Sequence, residues 1–391
     1  MIRLLSLTVA AFAIGISEFV LVGLLPTIAA ETGVNVGTAG LLVTFYALAI
    51  TVLSPVLTSW LSRYDSRWAL VALMIAFAAG NVLVATAGGF TGLLLGRILA
   101  GAAHGTVFAL GAPAAAALVP KDKAAHAISL MFLGLTGAMV IGVPLGTIIG
   151  TAVGWRTTFL IVAALGAIAA FAIAALIPST RTGESVSLRE QLSLLRDRPI
   201  AMTYLVTGLG FGATFAVFTY LEPLLTGDAG YTATGVTLAL FLFGGATVIG
   251  NLAGGALADR LGTTRVIRIA LIGLIVSFIG VLATSSSTVG IAIVIAVWGV
   301  FAFLISPPVQ THAVALASGR GPGAEKAASG LNIAAFNAGI ALASWAGGVI
   351  VESAGVTRTP WAALALSILA LVASFGINRA FAAARSARVE A

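Results

Sequence analysis

Long apolar runs, interrupted by short polar or glycine-containing breaks, follow one another along the whole chain. Bounded by Gly, Pro or charge, they fall near 4–28, 37–61, 68–88, 92–118, 125–153, 157–178, 199–225, 235–258, 265–284, 288–316, 327–352 and 359–381. A hydrocarbon core of roughly 30 Å takes about 20 apolar residues per helix, and each run reaches that length. The pattern predicts an all-α membrane protein with twelve transmembrane helices in two pseudo-symmetric six-helix bundles. One long polar connection, from about Ser179 to Arg198 through Arg181 and Glu184, divides it. The expected parts are a first bundle over 1–178, a linker over 179–198, and a second bundle with a short tail over 199–391.

Composition agrees with a bilayer environment. The 391 residues are 60% hydrophobic and 8% charged, with a mean hydropathy of +1.11, against about 25% charged residues in an ordinary soluble domain. A soluble core cannot absorb that much apolar surface. The first run begins as a secretory signal would, but Glu18 interrupts it and Pro26 stands near its end, so a retained span is expected. The chain contains no cysteine, which removes disulfides and thiolate metal sites.

A net charge of +7 is compatible with a nucleic-acid partner only if the basic residues form a patch. They flank membrane spans instead. With both termini in the cytoplasm, that side carries Arg3, Arg63, Arg67, Lys121, Lys123, Arg181, Arg189, Arg196, Arg198, Arg260, Arg265, Arg268, Arg320, Lys326, Arg379, Arg385 and Arg388. The other side keeps Arg156 and Arg358. This bias is the positive-inside rule, which fixes cytoplasmic termini and supports an even span count; the expected location is the cell inner membrane, multi-pass.

The two parts look like copies. An offset of 197 superposes Pro26 on Pro223, Arg63 on Arg260, Gly142 on Gly339 and Gly150 on Gly347. A duplicated six-helix unit is the arrangement of many secondary transporters, whose substrate site lies between the repeats near the bilayer midplane.

Between spans eight and nine stand Gly255, Asp259, Arg260, Gly262 and Arg265. This spacing resembles the loop signature of the major facilitator superfamily. An Asp at a helix end can pair with Arg and a neighbouring helix terminus, latching helices in one state; the other reading is an ordinary membrane-flanking charge cluster. The first-part equivalent has Arg63 and Arg67, with Thr58 and Ser62 in place of glycine and aspartate, leaving Asp65 as a substitute. Span one, Gly15-Ile16-Ser17-Glu18 through Gly23 to Pro26, is similar to the first helix of the drug:proton antiporter branch, which contains sugar-efflux and chloramphenicol exporters. Span five, with Gly137, Gly142, Pro144, Gly146 and Gly150, resembles that branch's antiporter helix motif. The resemblance implies the major facilitator fold, no bound cofactor, protons as the coupling ion, a small-molecule substrate and action as a monomer.

Two charges fall deep inside predicted spans, Glu18 and Arg97. Each costs roughly 2.5 to 3.5 kcal/mol on insertion scales, which makes a functional site the default hypothesis. Glu18 lies 14 residues from the start of its span near Leu4, about 21 Å in. Arg97, five residues from the opposite end of span four, lies about 22 Å from the same face, so the two can meet. Their second-part counterparts are Phe215 and Val294, which places the charge on one side of the repeat. Glu18 is expected to be the proton-coupling carboxylate and Arg97 its electrostatic partner, their separation and hydration setting proton affinity. A permanently paired couple that fixes helix packing is the competing reading.

His104 shares a helix face with Arg97 and Gly101; it is either a proton relay or a hydrogen-bonded core histidine. His126 and His312 take the structural reading. Glu222, before Pro223, is an interfacial carboxylate or a second titrating site. The span-five glycines and Pro144 serve static packing or bending during alternating access. Tyr46, Asn81, Tyr220, Asn251, Gln310, Asn332 and Asn337, with Phe residues, are expected to line a largely apolar cavity suited to an amphipathic solute, or else to join helices.

The expected function is a proton-coupled secondary transporter exporting a small amphipathic compound, an antibiotic such as chloramphenicol or a sugar-like solute. A proton-coupled uptake symporter or facilitator is the alternative. An embedded enzyme would need a nucleophile with its base, paired carboxylates or a metal cluster, and the spans offer none of these. No GxxxxGK[ST] stretch suggests ATP-driven pumping, and nothing resembles a channel filter.

Overall fold

The computed structural model describes residues 2–120, 123–179, 188–227, 229–320 and 323–389. Lys121, Arg181 and Glu184 lie outside these, as do the side chains of His126, Arg379, Arg385 and Arg388. Among the described residues, twelve helices are long and apolar enough to cross a membrane. They are α1 (Ile2–Gly23), α2 (Val36–Leu61), α3 (Ser66–Thr86), α4 (Phe90–Ala117), α5 (Ala127–Val153), α6 (Trp155–Leu176), α7 (Arg198–Phe218), α8 (Ala233–Leu261), α9 (Thr263–Thr284), α10 (Thr288–Ala317), α11 (Ala324–Ala354) and α12 (Val356–Ile377). Consecutive spans reverse direction, so Arg63, Arg67, Arg260 and Arg265 share one face, called here the basic face. Large apolar side chains such as Phe171, Leu252 and Val289 point outward, the inverse of a water-soluble surface.

Local chemistry sets the span ends. Asp65, Asp197, Thr232 and Ser287 cap α3, α7, α8 and α10 by accepting from backbone N–H groups one turn in. Asp65, expected as a substitute latch, therefore serves as a helix cap, and Ser179 also donates to its carboxylate. The single-residue joins α5–α6, α8–α9 and α11–α12 place Gly154, Gly262 and Gly355 at φ of 108°, 85° and 86°, where an L side chain is disfavoured.

The first helix of each six-span set breaks within about two residues of the same copied position, ahead of the aligned Pro26 and Pro223. The α-helical part of α1 ends at Phe19, continues as a 3-10 turn over Val20–Gly23, and a short helix Leu25–Thr32 restarts with Pro26 in its first turn. Likewise α7 stops at Phe218, and a short helix Leu221–Gly227 follows, with Pro223. Proline lacks the N–H that would continue the preceding helix but fits a first turn. The apolar runs 4–28 and 199–225 pass straight through these breaks, because apolar character alone does not register them.

Span five packs its motif onto α1. A Cβ at Gly142, Gly146 or Gly150 would collide with Ile16, Val20 or Leu24, so the groove of missing side chains receives α1 turn by turn. A π-turn over Ala138–Gly142 interrupts the α-helical pattern at the middle of the span, just ahead of Pro144. The first and last six spans meet chiefly on the face opposite the basic one. There α2 meets α11 with Thr38 donating to Glu352 at 3.0 Å, and the same pair of helices stays in contact deeper in the protein, where Thr51 donates to the Ala334 carbonyl at 3.3 Å. The π-turn and outer part of α5 lie against α8. A Cβ on Gly348 would stand 2.7 Å from the Tyr220 hydroxyl and 2.8 Å from the Gly37 carbonyl, so this seam closes backbone to backbone.

Gly146→Ala would bring a methyl to 2.7 Å from Val20 Cγ2 and 3.2 Å from Thr158 Cγ2. Overpacking of this kind costs about 1 to 3 kcal/mol. The expected result is a lowered melting temperature of the purified protein in detergent; an unchanged midpoint would contradict the α1–α5 packing.

Candidate functional site

Arg97 is fully buried on α4, between small residues that let its neighbours come near. Gly96 and Gly80 face each other across α3–α4, a Cβ on Gly80 falling 2.8 Å from the Gly96 carbonyl. The guanidinium then reaches α1 and α2. Its Nη1 donates to the Ser17 carbonyl at 2.6 Å and lies 3.4 Å from the Ser17 hydroxyl, and its Nε donates to the Leu42 carbonyl at 3.1 Å. The Ser17 carbonyl is available because it falls in the last turn before the α1 break, where carbonyls lose their i+4 partners. Tyr46 lies beneath, its ring centroid 3.9 Å from Cζ. Charge-assisted hydrogen bonds and the aromatic face offset a desolvation cost of several kcal/mol. One amino group, Nη2, is buried with no partner.

Two branches leave this centre. The Ser17 hydroxyl donates to Asn81 Oδ1 at 2.8 Å, and Asn81 Nδ2 donates to the Phe77 carbonyl. On the other side the Tyr46 hydroxyl lies 3.1 Å from His104 Nδ1, and the His104 ring leans on Phe108. The guanidinium of α4 thus joins α1 and α2 directly and α3 through the Ser17–Asn81 bond.

Glu18 is at the same depth, next in chain to the Ser17 that Arg97 holds. Its side chain is buried, yet among the described residues its carboxylate accepts no hydrogen bond and has no cationic group within 4.0 Å. The expected meeting of Glu18 and Arg97 is one of level and not of contact. What the guanidinium touches is carbonyl oxygen, a partner that side-chain reading of a sequence passes over. The available signal was Ser17, a small hydroxyl beside the buried acid in an apolar span.

The residues expected to line one cavity fall into separate groups. Tyr46 and Asn81 belong to the Arg97 centre. Asn332 accepts from Thr207 at 2.8 Å and donates to Gln310 at 2.6 Å, and Gln310 donates to Ser329, which ties α7, α10 and α11. Asn337 donates to its own helix at Ile333, and its Oδ1 is buried without a partner. Asn251 is half-buried on α8. Tyr220 donates to the Ser344 carbonyl at 2.8 Å in the closed seam. Facing the charged centre from the last six spans is an aromatic wall. Phe215 stands 6.2 Å from Phe19, Phe211 3.9 Å from Phe336, and Phe218 stacks on Phe243 at 4.5 Å beside Trp298. Phe19, Phe218, Phe243, Met139 and Leu240 line a small void between the two sides.

On the basic face, Asp259, Arg260 and Arg265 are exposed and form no ion pair among the described residues. Arg63 is exposed too, Gly255 is open on its helix, and Arg67 stacks on Trp68 at 5.0 Å. The loop motif is disengaged while the opposite face is closed. His312 lies 3.2 Å from Thr263, as a structural histidine would. A contact absent from sequence reading is the clamp of Glu31, whose carboxylate accepts from Trp155 and Arg156 and joins the short helix Leu25–Thr32 to the start of α6.

A sequence profile described as Major Facilitator Superfamily matches residues 7–324. The chain is 43% identical over 359 residues to an uncharacterized MFS-type transporter, YtbD, of Bacillus subtilis (strain 168), covering 92% of this chain and 90% of the relative. It is 38% identical over 373 residues to the inner membrane transport protein YdhP of Escherichia coli (strain K12), covering 95% of each. With a protein named chloramphenicol resistance protein from Streptomyces lividans it shares 33% identity over 374 residues, covering 94% of each. The fold matches the crystal structure of a bacterial homolog to the human lysosomal transporter Spinster, in an inward-facing and unoccupied conformation. The TM-score is 0.77 at 18% identity, with 97% of each chain covered.

Arg97→Lys keeps the charge but replaces a planar fork with a compact ammonium that cannot hold the Ser17 and Leu42 carbonyls together. Losing one such charge-assisted bond costs about 1.5 to 3 kcal/mol. The expected outcome is a thermal midpoint several degrees below that of Asn81→Ala, which removes a neutral hydrogen bond; equal midpoints would contradict the central place of the guanidinium.

Proposed function

The chain belongs to the Major Facilitator Superfamily, and on that premise we propose that it exports a small amphipathic compound in exchange for protons. It is a multi-pass membrane protein that takes a small-molecule substrate. The finer reading assigns it to the drug:proton antiporter branch, with chloramphenicol or a related aromatic antibiotic the leading substrate class and sugar-like solutes second. The relative named for chloramphenicol resistance supports the direction and the class. The positive-inside bias assigns the basic face and both termini to the cytoplasm, and the relative named an inner membrane transport protein supports the cell inner membrane. In this reading 1–178 and 199–391 are the two moving bodies and 179–198 their linker.

The observation that carries the proposal is a buried Arg97 Nη2 without a partner, at the level of a Glu18 carboxylate that meets no donor or cation among the described residues. Arg97 is fastened to the carbonyls of α1 and α2, so α1 cannot slide away from it without breaking those bonds. The Glu18 side chain can rotate. Ionised, it turns toward Nη2 and makes a charge-assisted hydrogen bond. Protonated, it needs no cation and turns toward the substrate path between the two sides. Arg97 stays charged in both cases. Tyr46 and His104 hold the guanidinium plane from below, and the aromatic wall of the last six spans provides a flat apolar surface for the solute. A disengaged Asp259 loop and a closed opposite seam fit one end of an alternating-access cycle. The uptake symporter uses the same groups with solute and proton moving together, and direction separates the two.

In proteoliposomes with an imposed pH gradient, Glu18→Gln is expected to abolish proton-driven exchange, by at least about tenfold, while leaving solute binding measurable. Undiminished proton-driven transport by Glu18→Gln would remove Glu18 from coupling. In a pump-deficient host, the wild-type protein is expected to raise resistance to at least one aromatic antibiotic and the Glu18→Gln protein to none. Protection against no compound in a drug and sugar panel would count against export.

A further inference from the structure

Glu222 lies in the short helix Leu221–Gly227, beyond the end of α7. That helix is packed against the 3-10 turn Val20–Gly23 and the short helix Leu25–Thr32 from the first six spans, and against α8 and the turn Val356–Arg358 from its own side. It therefore forms part of the closed seam, next to Tyr220 and its contacts with Gly40 and Gly348. One carboxylate oxygen, Oε2, is buried in this packing with no hydrogen-bond partner.

The repeat shows how unusual this is. At the offset of 197 that aligns Pro26 with Pro223, the copy of Glu222 is Leu25, which is completely buried. An apolar residue satisfies the position in one copy. In the other stands an acid whose buried oxygen meets no donor. The neighbouring elements do not supply one. Leu25–Thr32 brings Glu31, which is held by Trp155 and Arg156. Val356–Arg358 brings Arg358, which is exposed and makes no ion pair among the described residues. Tyr231, ahead of α8, donates to the Thr288 carbonyl, and Val20–Gly23 has no titratable group. Glu352, at the end of α11, accepts from Thr38.

We propose that Glu222 is a second proton site, a latch on the seam opposite the basic face that is protonated when the seam is closed and ionised when it opens to water. This goes beyond the coupling role given to Glu18 and rests on the orientation of the preceding section, which puts the seam on the external side. Closing buries Oε2 without a donor, and a neutral carboxyl tolerates that better than a charged one. Parting the seam lets water solvate the group, and the proton leaves to external water. External alkalinity then favours opening, and acidity favours closure. Burial pushes the Glu222 carboxyl up to about 8, which sets the range in which the latch responds. The shift is upward, so the closed seam gains stability as pH falls below that value and loses it as pH rises through it.

The chain has no cysteine, so a single introduced thiol reports on access. Leu240 is buried at the void between the two sides. In whole cells carrying Leu240→Cys, labelling by a membrane-impermeant maleimide is measured at about pH 6.5 and about pH 9.5, normalised to unfolded protein at each pH. The expected result is at least threefold more labelling at the higher pH, with Glu222→Gln and Glu222→Leu each holding it near the low value at both. Ser353→Cys, exposed at the end of α11, must label in every background, which tests the orientation separately. The proposal is overturned if Leu240→Cys shows no pH dependence, or if both Glu222 variants keep the parent ratio. It is also overturned if the ratio is lost in Glu18→Gln and kept in the Glu222 variants. Transport by Glu18→Gln tests the coupling reading independently, so the failure of one is not the failure of the other.

Discussion

A guanidinium holding the carbonyl oxygens of two other helices ties the first four spans together. Arg97 donates to Ser17 on α1 and to Leu42 on α2, rests on the Tyr46 ring, and leaves one amino group without a partner. Away from water a guanidinium must be surrounded by acceptors, and helix carbonyls are free only where a helix ends or breaks. The α-helical part of α1 provides for that by ending at Phe19, soon after Ser17, and giving way to a 3-10 turn. Span packing, the level of Glu18 and the positions of Tyr46, Asn81 and His104 follow from one cation and one helix break.

The two sides of the repeat use this architecture differently. Charge is concentrated in α1 and α4, while α7, α8, α10 and α11 present Phe211, Phe215, Phe218, Phe243, Trp298 and Phe336. The Phe215 ring takes the place of Glu18 and faces Phe19 across the seam. An anchored cation needs rigid surroundings, and aromatic faces tolerate many flat solutes. Separating them lets one side keep a fixed electrostatic reference while the other adapts. Where the sides meet, glycines at Gly37, Gly40 and Gly348 bring backbones within van der Waals contact around Tyr220. Contacts of that kind can open without tearing interdigitated side chains, which suits a seam that must part and close.

Much of this was legible in the residues. Span number, order and most ends followed from apolar run length, since a bilayer sets that length whatever the neighbours. The polar connection after Ser179 and the copied Pro26 and Pro223 were equally visible. So was the depth of Glu18 and Arg97, because a helix rises by a fixed amount per residue. Less legible were the helix breaks after Phe19 and Phe218, which leave hydrophobicity unchanged, and the role of Asp65, whose capping bond depends on the start of α3. Tyr46, Asn81, Gln310, Asn332 and Tyr220 were recognisable as buried polar groups, but their grouping into separate networks was not.

By itself the sequence determined twelve helices in two copies, a basic face, a superfamily and the two charges buried at one level. Those properties depend on local composition, helical rise and the cost of charge in lipid, all of which can be summed along the chain. Tertiary structure decided that Arg97 binds carbonyl oxygens and not Glu18, that the polar residues divide among several networks, and that the seam closes on the face opposite the basic one. Each of these depends on which backbone oxygen or side chain a neighbouring helix presents within about 3 Å, the reach of a hydrogen bond. Every helix carries the same carbonyl groups, so only packing selects the ones that matter.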